Sequence, residues 1–303
     1  MNPSSNFIDE IKAAGITPPD EVIADGALHR FSSNGKPGDD SGWYVFYDGV
    51  VPAGAYGCWR LGISEKWHVN NVREFTADER AAYAARMQEI RNQRAGDEIE
   101  RHAAAAQQAK RIWNSARLAP PDHIYLHTKG VQPHGLRVSA GSIIVPMRSG
   151  GLHSLQFITG TGEKRFLPGG RVSGCCYSIG KLAHMLCIAE GFATAASIHE
   201  ATGHAAAVAF SASNLRPVAK AVRAKYPAIQ ILLCADDDVA TPGNPGLTKA
   251  TEAAAAIHGL LAIPDFGTNR PDGMTDFNDL YRLKGADAVK QCIEIAYQIE
   301  GTA

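Results

Sequence analysis

An α/β architecture is predicted, with a Rossmann-like parallel sheet carrying helices on both faces over residues 181–303. Ahead of it the sequence places an α+β subdomain over 119–180, a helical connector over 76–118 and a small β-rich module over 1–75. Three observations predict this order. Apolar runs at 185–189, 205–210, 229–235 and 260–263 alternate with Ala-rich helical stretches at about 191–202, 214–225 and 247–258, the pattern of βαβ units. Acidic residues stand where two of those runs end, Glu190 after the first and Asp236-Asp237-Asp238 after the third. Residues 77 to about 115 are rich in Ala, Glu, Gln and Arg and contain no proline, a sharp change from the Gly- and aromatic-rich text before them.

From the N-terminus, Trp43-Tyr44-Val45-Phe46-Tyr47 and Ala55-Tyr56-Gly57-Cys58-Trp59-Arg60 read as short strands between Gly-containing turns. Thr76-Ala77-Asp78-Glu79 fits a capping box for the helix that follows. That helix is charged on most faces, with Gly96 as a candidate break and Pro120-Pro121 as its stop, so it reads as a connector and not a core helix. Strand texture returns over 122–180. There, 142–147 and 152–158 flank Arg148-Ser149-Gly150-Gly151, a hairpin turn.

Composition narrows the function classes. A chain of 303 residues has ample apolar material for two or three domains. The formal net charge of −1 advertises no overall affinity for nucleic acid, so any such contact must be local. Six cysteines contain no C-x-x-C pair, which argues against a zinc ribbon. Cys187 and Cys234 fall inside predicted buried strands and read as reduced structural thiols of a cytoplasmic protein. No secretory leader is legible, and no apolar stretch approaches the roughly 18 residues a membrane span needs, so no membrane partner is expected.

Chemistry is expected where the acids gather. Parallel strands deliver their C-terminal residues to one edge of the sheet. Alternation along the chain sends Asp236 and Asp238 to one side and Asp237 to the other. With Glu190, and with Asp276-Phe277-Asn278-Asp279 later in the same half of the chain, they form a candidate hard-cation site for Mg²⁺ or Mn²⁺. Each carboxylate alone has a simpler reading as a helix cap; their recurrence favours the metal. His123, His127 and His134 show no metal spacing. Ser211, Ser213 and Asn214 are explained as N-caps, and 241–246 as a loop beside the acids.

These segments resemble the Toprim domain, shared by bacterial-type primases, topoisomerases and some nucleases. The resemblance is carried by Leu186-Cys187-Ile188-Ala189-Glu190-Gly191-Phe192, then Leu233-Cys234-Ala235-Asp236-Asp237-Asp238, then Asp276-Phe277-Asn278-Asp279-Leu280, which is similar to the acidic stretch of phage and plasmid members. It covers roughly 181–290. Upstream, Ile144-Val145-Pro146-Met147-Arg148, Leu155-Gln156-Phe157-Ile158 and Lys164-Arg165-Phe166-Leu167-Pro168 resemble the subdomain that precedes Toprim in bacterial-type primases. Tyr125-Leu126-His127-Thr128-Lys129-Gly130 is similar to a segment just before it. The chain departs from that family in lacking an N-terminal zinc ribbon. Residues 1–75, with Gly26-Ala27-Leu28-His29-Arg30-Phe31 similar to mobile-element primases, are the candidate replacement for template binding.

The resemblance implies a DNA primase that makes short RNA primers on single-stranded DNA from nucleoside triphosphates, with Mg²⁺ or Mn²⁺ as cofactor. Asp236 and Asp238 would be principal metal ligands, with Asp276 or Asp279 helping and Glu190 as ligand or proton-transfer group. Lys129, Arg148, Lys164, Arg165 and Lys249 are the candidates for nucleotide and template phosphates. A Toprim nuclease and a non-catalytic nucleic-acid or helicase-binding module are the alternatives. No Gly-x-x-x-x-Gly-Lys-Ser/Thr occurs, so a separate replicative helicase is the expected partner.

Overall fold

The computed structural model describes residues 2–48, 52–68 and 77–298. Its contacts fall into two compact units, 1–94 and 95–303. In the first, α1 (Pro3–Ala13) precedes four strands, β1 (His29–Phe31), β2 (Gly42–Tyr47), β3 (Ala53–Cys58) and β4 (Ile63–His68). The strands form an antiparallel sheet in sequence order. Phe7 and Ile11 of α1 pack on Phe31, Tyr44, Phe46, Tyr56 and Cys58, which take alternate positions on one sheet face. The helix was not legible as such. Only two of its residues are buried, and its amide start is capped by Asn2 and not by a longer signature.

Helix α2 (Ala77–Ser115) contains Gly96 without a break. The capping box expected at Thr76 lies outside the described residues and side chains. The expectation of a connector and not a core helix is corrected at its C-terminal end. Ala105 and Ala109 are buried against Ile144, Leu155 and Leu167. Their methyl groups let the helix approach a sheet closely, which a charge-based reading of its faces misses.

The second unit continues through β5 (Arg117–Leu118), α3 (Ile124–Lys129), β6 (Arg137–Ser139), β7 (Ser142–Ser149), β8 (Gly151–Ile158) and β9 (Lys164–Phe166). The strands form an antiparallel meander, and Gly150 turns the β7–β8 hairpin at φ 75°. A bulge between Met147 and Arg148 shifts the register. Strand texture was expected throughout 122–180, so α3 is a correction. Its start is set by His123, which accepts the Tyr125 N–H at 3.2 Å, and its end by Gly130 at φ 66°.

The remaining elements are β10 (Tyr177–Ile179), β11 (Met185–Ala189), α4 (Phe192–Thr202), β12 (Ala205–Val208), α5 (Ala212–Lys225), β13 (Gln230–Cys234), α6 (Pro245–Ala255), β14 (Leu260–Ala262), α7 (Phe277–Lys284) and α8 (Ala286–Gln298). Their sheet runs β10-β12-β11-β13-β14; β11 to β14 are mutually parallel where they pair, and β10 is antiparallel at the edge. Cys187, Ala189, Leu232 and Cys234 face one core with Phe192, Phe277 and Ile293. Leu186, Ile188, Ile231 and Leu233 face another with Leu215, Val218 and Ala253. Helices therefore cover both faces, as the run-and-helix alternation predicts. Ile143, Val145 and Met147 of β7 belong to the first of these cores, so packing continues across residue 180.

All six cysteines are free thiols. No helix among the described residues is long and apolar enough to cross a membrane.

Candidate active site

Strand order places the acids where an α/β sheet leaves a crevice. After β11 the chain crosses to β12 on one side, and after β13 to β14 on the other, so the helices diverge between β11 and β13. Ala189 and Cys234 are paired neighbours at the ends of these strands. Glu190 therefore follows one strand and Asp236 the next. Asp276 reaches the same edge as the residue that starts α7.

Electrostatics show that these groups act on one another. Asp236 is pushed up from 3.8 to about 8, first by burial and then by Asp276, Glu190 and Asp238. Glu190 is raised by burial, with Asp238 and Asp276 adding to it and Lys164 opposing. Asp276 is raised by burial and Asp279, while Lys129 and a hydrogen bond from the Thr194 hydroxyl at 3.1 Å favour its charged form. Asp236 Oδ1 is buried without a hydrogen-bond partner. A buried, unpartnered carboxylate oxygen among other carboxylates is costly unless a cation faces it, and carboxylate oxygens are the donors that suit a hard divalent cation. Among the described residues no three His, Cys, Asp or Glu side chains stand as a finished ligand set.

The turn after β13 is held by residues that sequence reading missed. Asp237 has partners of its own. Its carboxylate accepts Arg270 Nη1 at 2.6 Å and Asn244 Nδ2 at 2.7 Å. Arg270 Nη2 also donates to the Asp237 carbonyl at 2.5 Å, and its guanidinium lies 4.5 Å from the Phe266 ring centroid. Asn244 Oδ1 accepts the Asp238 N–H at 2.8 Å while Asn244 starts α6 from a left-handed conformation. The 241–246 loop is thus a tether for the acids. Gly246 lies so close that an added Cβ would sit 2.5 Å from the Asp236 carbonyl oxygen and 2.9 Å from Asp238 Oδ2. No local sequence signal announces Arg270, which is 33 residues from its partner. Phe210 is a second surprise. Its φ of 73° is rare for an aromatic residue, and its N–H donates to the Glu190 carbonyl at 2.8 Å.

Asp276 and Asp279 form a reciprocal capping box. Asp276 Oδ1 accepts the Asp279 N–H at 2.8 Å, and Asp279 Oδ2 accepts the Asp276 N–H at 3.4 Å and the Thr275 N–H at 3.0 Å. Asp276 joins the acidic group, whereas Asp279 acts on it through Asp276. The N-cap explanation of Asn214 is corrected. Its buried amide accepts the Gly174 N–H and donates to the Cys175 and Ala209 carbonyls, tying the 174–175 segment to the end of β12. Ser211 occupies the N-cap position of α5 without a side-chain cap bond.

The basic candidates separate. Lys164 reaches the acidic edge: it acts on Glu190 and Asp236, and a Cβ on Gly191 would lie 3.6 Å from its Nζ. Lys129 acts on Asp276. Arg165 pairs with Glu163 at 2.8 Å on the exposed surface, and Lys249 pairs with Glu252 at 2.8 Å. Arg148 has other surroundings: its guanidinium is 5.7 Å from the Trp113 ring centroid, and the residue lines a cavity of about 550 Å³ beside α5 and strands β10 and β12.

Residues 185–287 match the Toprim domain model. The chain is 34% identical over 284 residues to a DNA primase TraC of Escherichia coli, an alignment covering 88% of the chain and 27% of that protein. A second DNA primase TraC of Escherichia coli is 33% identical over 288 residues, 88% of the chain and 20% of the relative. The chain thus spans about a quarter of the length of these relatives or less. Among solved structures it is similar to a DnaG primase catalytic domain bound to ssDNA, with a TM-score of 0.47 and 14% identity over 65% of this chain and 80% of that one. It is also similar to the zinc-binding and RNA polymerase domains of the Aquifex aeolicus primase, with a TM-score of 0.45 and 10% identity over 95% of this chain and 85% of that one. The acidic edge formed by β11, β13 and the start of α7 therefore lies within the stretch that is similar to the Toprim domain.

Proposed function

We propose that the chain is a DNA primase, joining ribonucleotides into short primers on a single-stranded DNA template. The observation that carries the reading is the carboxylate group at the β11–β13 switch point, with an unpartnered Asp236 oxygen and a lysine beside it. Similarity to DNA primase TraC over most of the chain supports the choice of primase among Toprim activities.

Mg²⁺ or Mn²⁺, when bound, would lower the charge on the triphosphate and favour in-line attack by a 3′-hydroxyl. Asp236 and Asp238 would hold it, with Asp276 fixed by Thr194 and by its own capping box. Glu190 has a raised proton affinity and lies at the same edge, which suits a ligand or a group that receives the hydroxyl proton. Lys164 brings a positive charge to bind the triphosphate. Lys129, Arg148, Arg165 and Lys249 would serve the nucleic-acid backbone. A replicative helicase would supply the unwound template, and the reaction would take place in the cytoplasm.

Incubation with single-stranded DNA, labelled ribonucleotides and Mg²⁺ or Mn²⁺ tests the reading. Short oligoribonucleotides are expected, and their loss in Asp236→Ala and Asp238→Ala. Degradation of the DNA would instead establish a nuclease, and no reaction on varied templates would refute primase activity.

A further inference from the structure

The first unit carries an aromatic stack that the catalytic reading leaves unused. Alternate positions of its sheet face away from α1: Arg30 on β1, Trp43 on β2, Gly57 on β3, and Ser64 and Lys66 on β4. Arg30, Trp43, Gly57 and Ser64 form one cross-strand row. Gly57 allows Trp43 to lie flat across β3, since a Cβ there would meet the indole at 2.8 Å. Trp59 then stacks on Trp43, with ring centroids 5.3 Å apart and planes 25° apart. The Trp59 N–H donates to the Ser41 carbonyl at 2.9 Å, which anchors the backbone that presents it.

The two indoles have opposite surroundings. Trp43 is 9% exposed and its Nε1 is buried without a hydrogen-bond partner, whereas Trp59 is 57% exposed. An indole held against another indole on one side and open on the other is a stacking surface with its ordering cost already met. Charge follows the same division. Glu10 and Glu65 act on Tyr56, on the face that α1 covers. The open face carries Arg30 and Lys66, both exposed, and among the described residues neither forms an ion pair. Arg60 beside Trp59 is turned to Ser33, with its Nη2 donating at 2.9 Å.

We propose that this face binds single-stranded nucleic acid, with an unpaired base stacking on Trp59 and the adjoining phosphates meeting Arg30 and Lys66. The choice of a nucleic acid as ligand rests on the primase reading of the second unit, but the platform uses none of the residues assigned to the acidic edge. Stacking on an aromatic platform beside cations is tolerant of sequence, because every base has a π-face. A base-paired duplex hides those faces and is a poorer ligand.

The test is binding of a fluorescein-labelled oligothymidylate to the full chain, read by anisotropy in EDTA so that no catalysis intervenes. Wild type is expected to bind, with an unlabelled duplex of equal length competing weakly. Trp59→Ala should weaken binding roughly 5- to 100-fold, and Trp59→Phe should recover most of the loss. Arg30→Ala with Lys66→Ala should reduce the slope of log affinity against log salt by about 0.7 for each phosphate contact removed. Unchanged circular dichroism in Trp59→Ala would confirm folding. Absence of wild-type binding, equal binding by Trp59→Ala, or equal competition by duplex would overturn the proposal. Primer synthesis with a silent Trp59→Ala refutes the platform and leaves the primase reading standing; Trp59-dependent binding without any product does the reverse.

Discussion

Replacing Asp236 by asparagine keeps the shape of the side chain and removes its charge. In the folded protein Asp236 holds its proton up to about pH 8, against 3.8 for the ordinary carboxyl. The folded state therefore retains a proton over that interval which the unfolded chain has lost. Stability falls as pH rises from about 4 to about 8 and is level beyond. At about 1.4 kcal/mol per tenfold change in proton affinity, the whole interval corresponds to on the order of 5 kcal/mol. Asp236 retains some contact with water, and screening brings the expected effect to roughly 2–4 kcal/mol. Urea denaturation in EDTA, followed by far-UV circular dichroism, should show Asp236→Asn equal to wild type near pH 4 and more stable by that amount near pH 8.5. Adding Mg²⁺ at pH 8.5 should close the gap, since the wild type gains by binding and the variant gains less. A variant that is equal or weaker at pH 8.5 in EDTA would refute the idea that burial and carboxylate repulsion destabilise the metal-free site.

Three further substitutions probe the scaffold of the acids. Gly246→Ala places a methyl group against the Asp236 carbonyl and Asp238; a loss of about 1–3 kcal/mol in thermal or urea stability is expected, with reduced primer synthesis. Arg270→Met leaves Asp237, which is largely buried, without its ion-pair partner, and should cost about 2–4 kcal/mol; no measurable loss would mean that Asn244 alone holds the turn. Asp279→Ala removes half of a capping box and should cost about 1 kcal/mol while leaving primer synthesis within several-fold of wild type. A hundredfold loss of activity in a folded Asp279→Ala protein would place that carboxylate among the ligands.

Much of the second unit was legible because its signals are local. The runs ending at Ala189 and Cys234 alternate sides and bury both, so hydrophobic text alone locates the strands to within a residue or two. Glu190 and Asp236 follow directly, since the end of a parallel strand has a fixed place in the fold. Asp237 was expected on the other side, and it has partners of its own in Arg270 and Asn244. What supports that turn was not legible. Arg270 and Asn244 sit in loops without periodicity, and Asn214 reads as a cap but serves as a three-way tether. Lys164 and Arg165 are neighbours in sequence, yet successive residues of a strand face opposite ways. One reaches the acids and the other pairs with Glu163. Helix α1 and the buried end of α2 were hidden because few large apolar residues mark them.

By itself the sequence placed strand-terminal carboxylates in a set order, on an alternation that builds a parallel sheet. Tertiary structure decided which charges act together. Coulombic and desolvation effects depend on distance and burial, and those are set by strand order and loop closure across up to 147 residues, from Lys129 to Asp276. The Trp43–Trp59 stack has the same origin. Its partners lie on a strand and a turn that only the folded sheet brings face to face, over a glycine whose small size matters only once they meet.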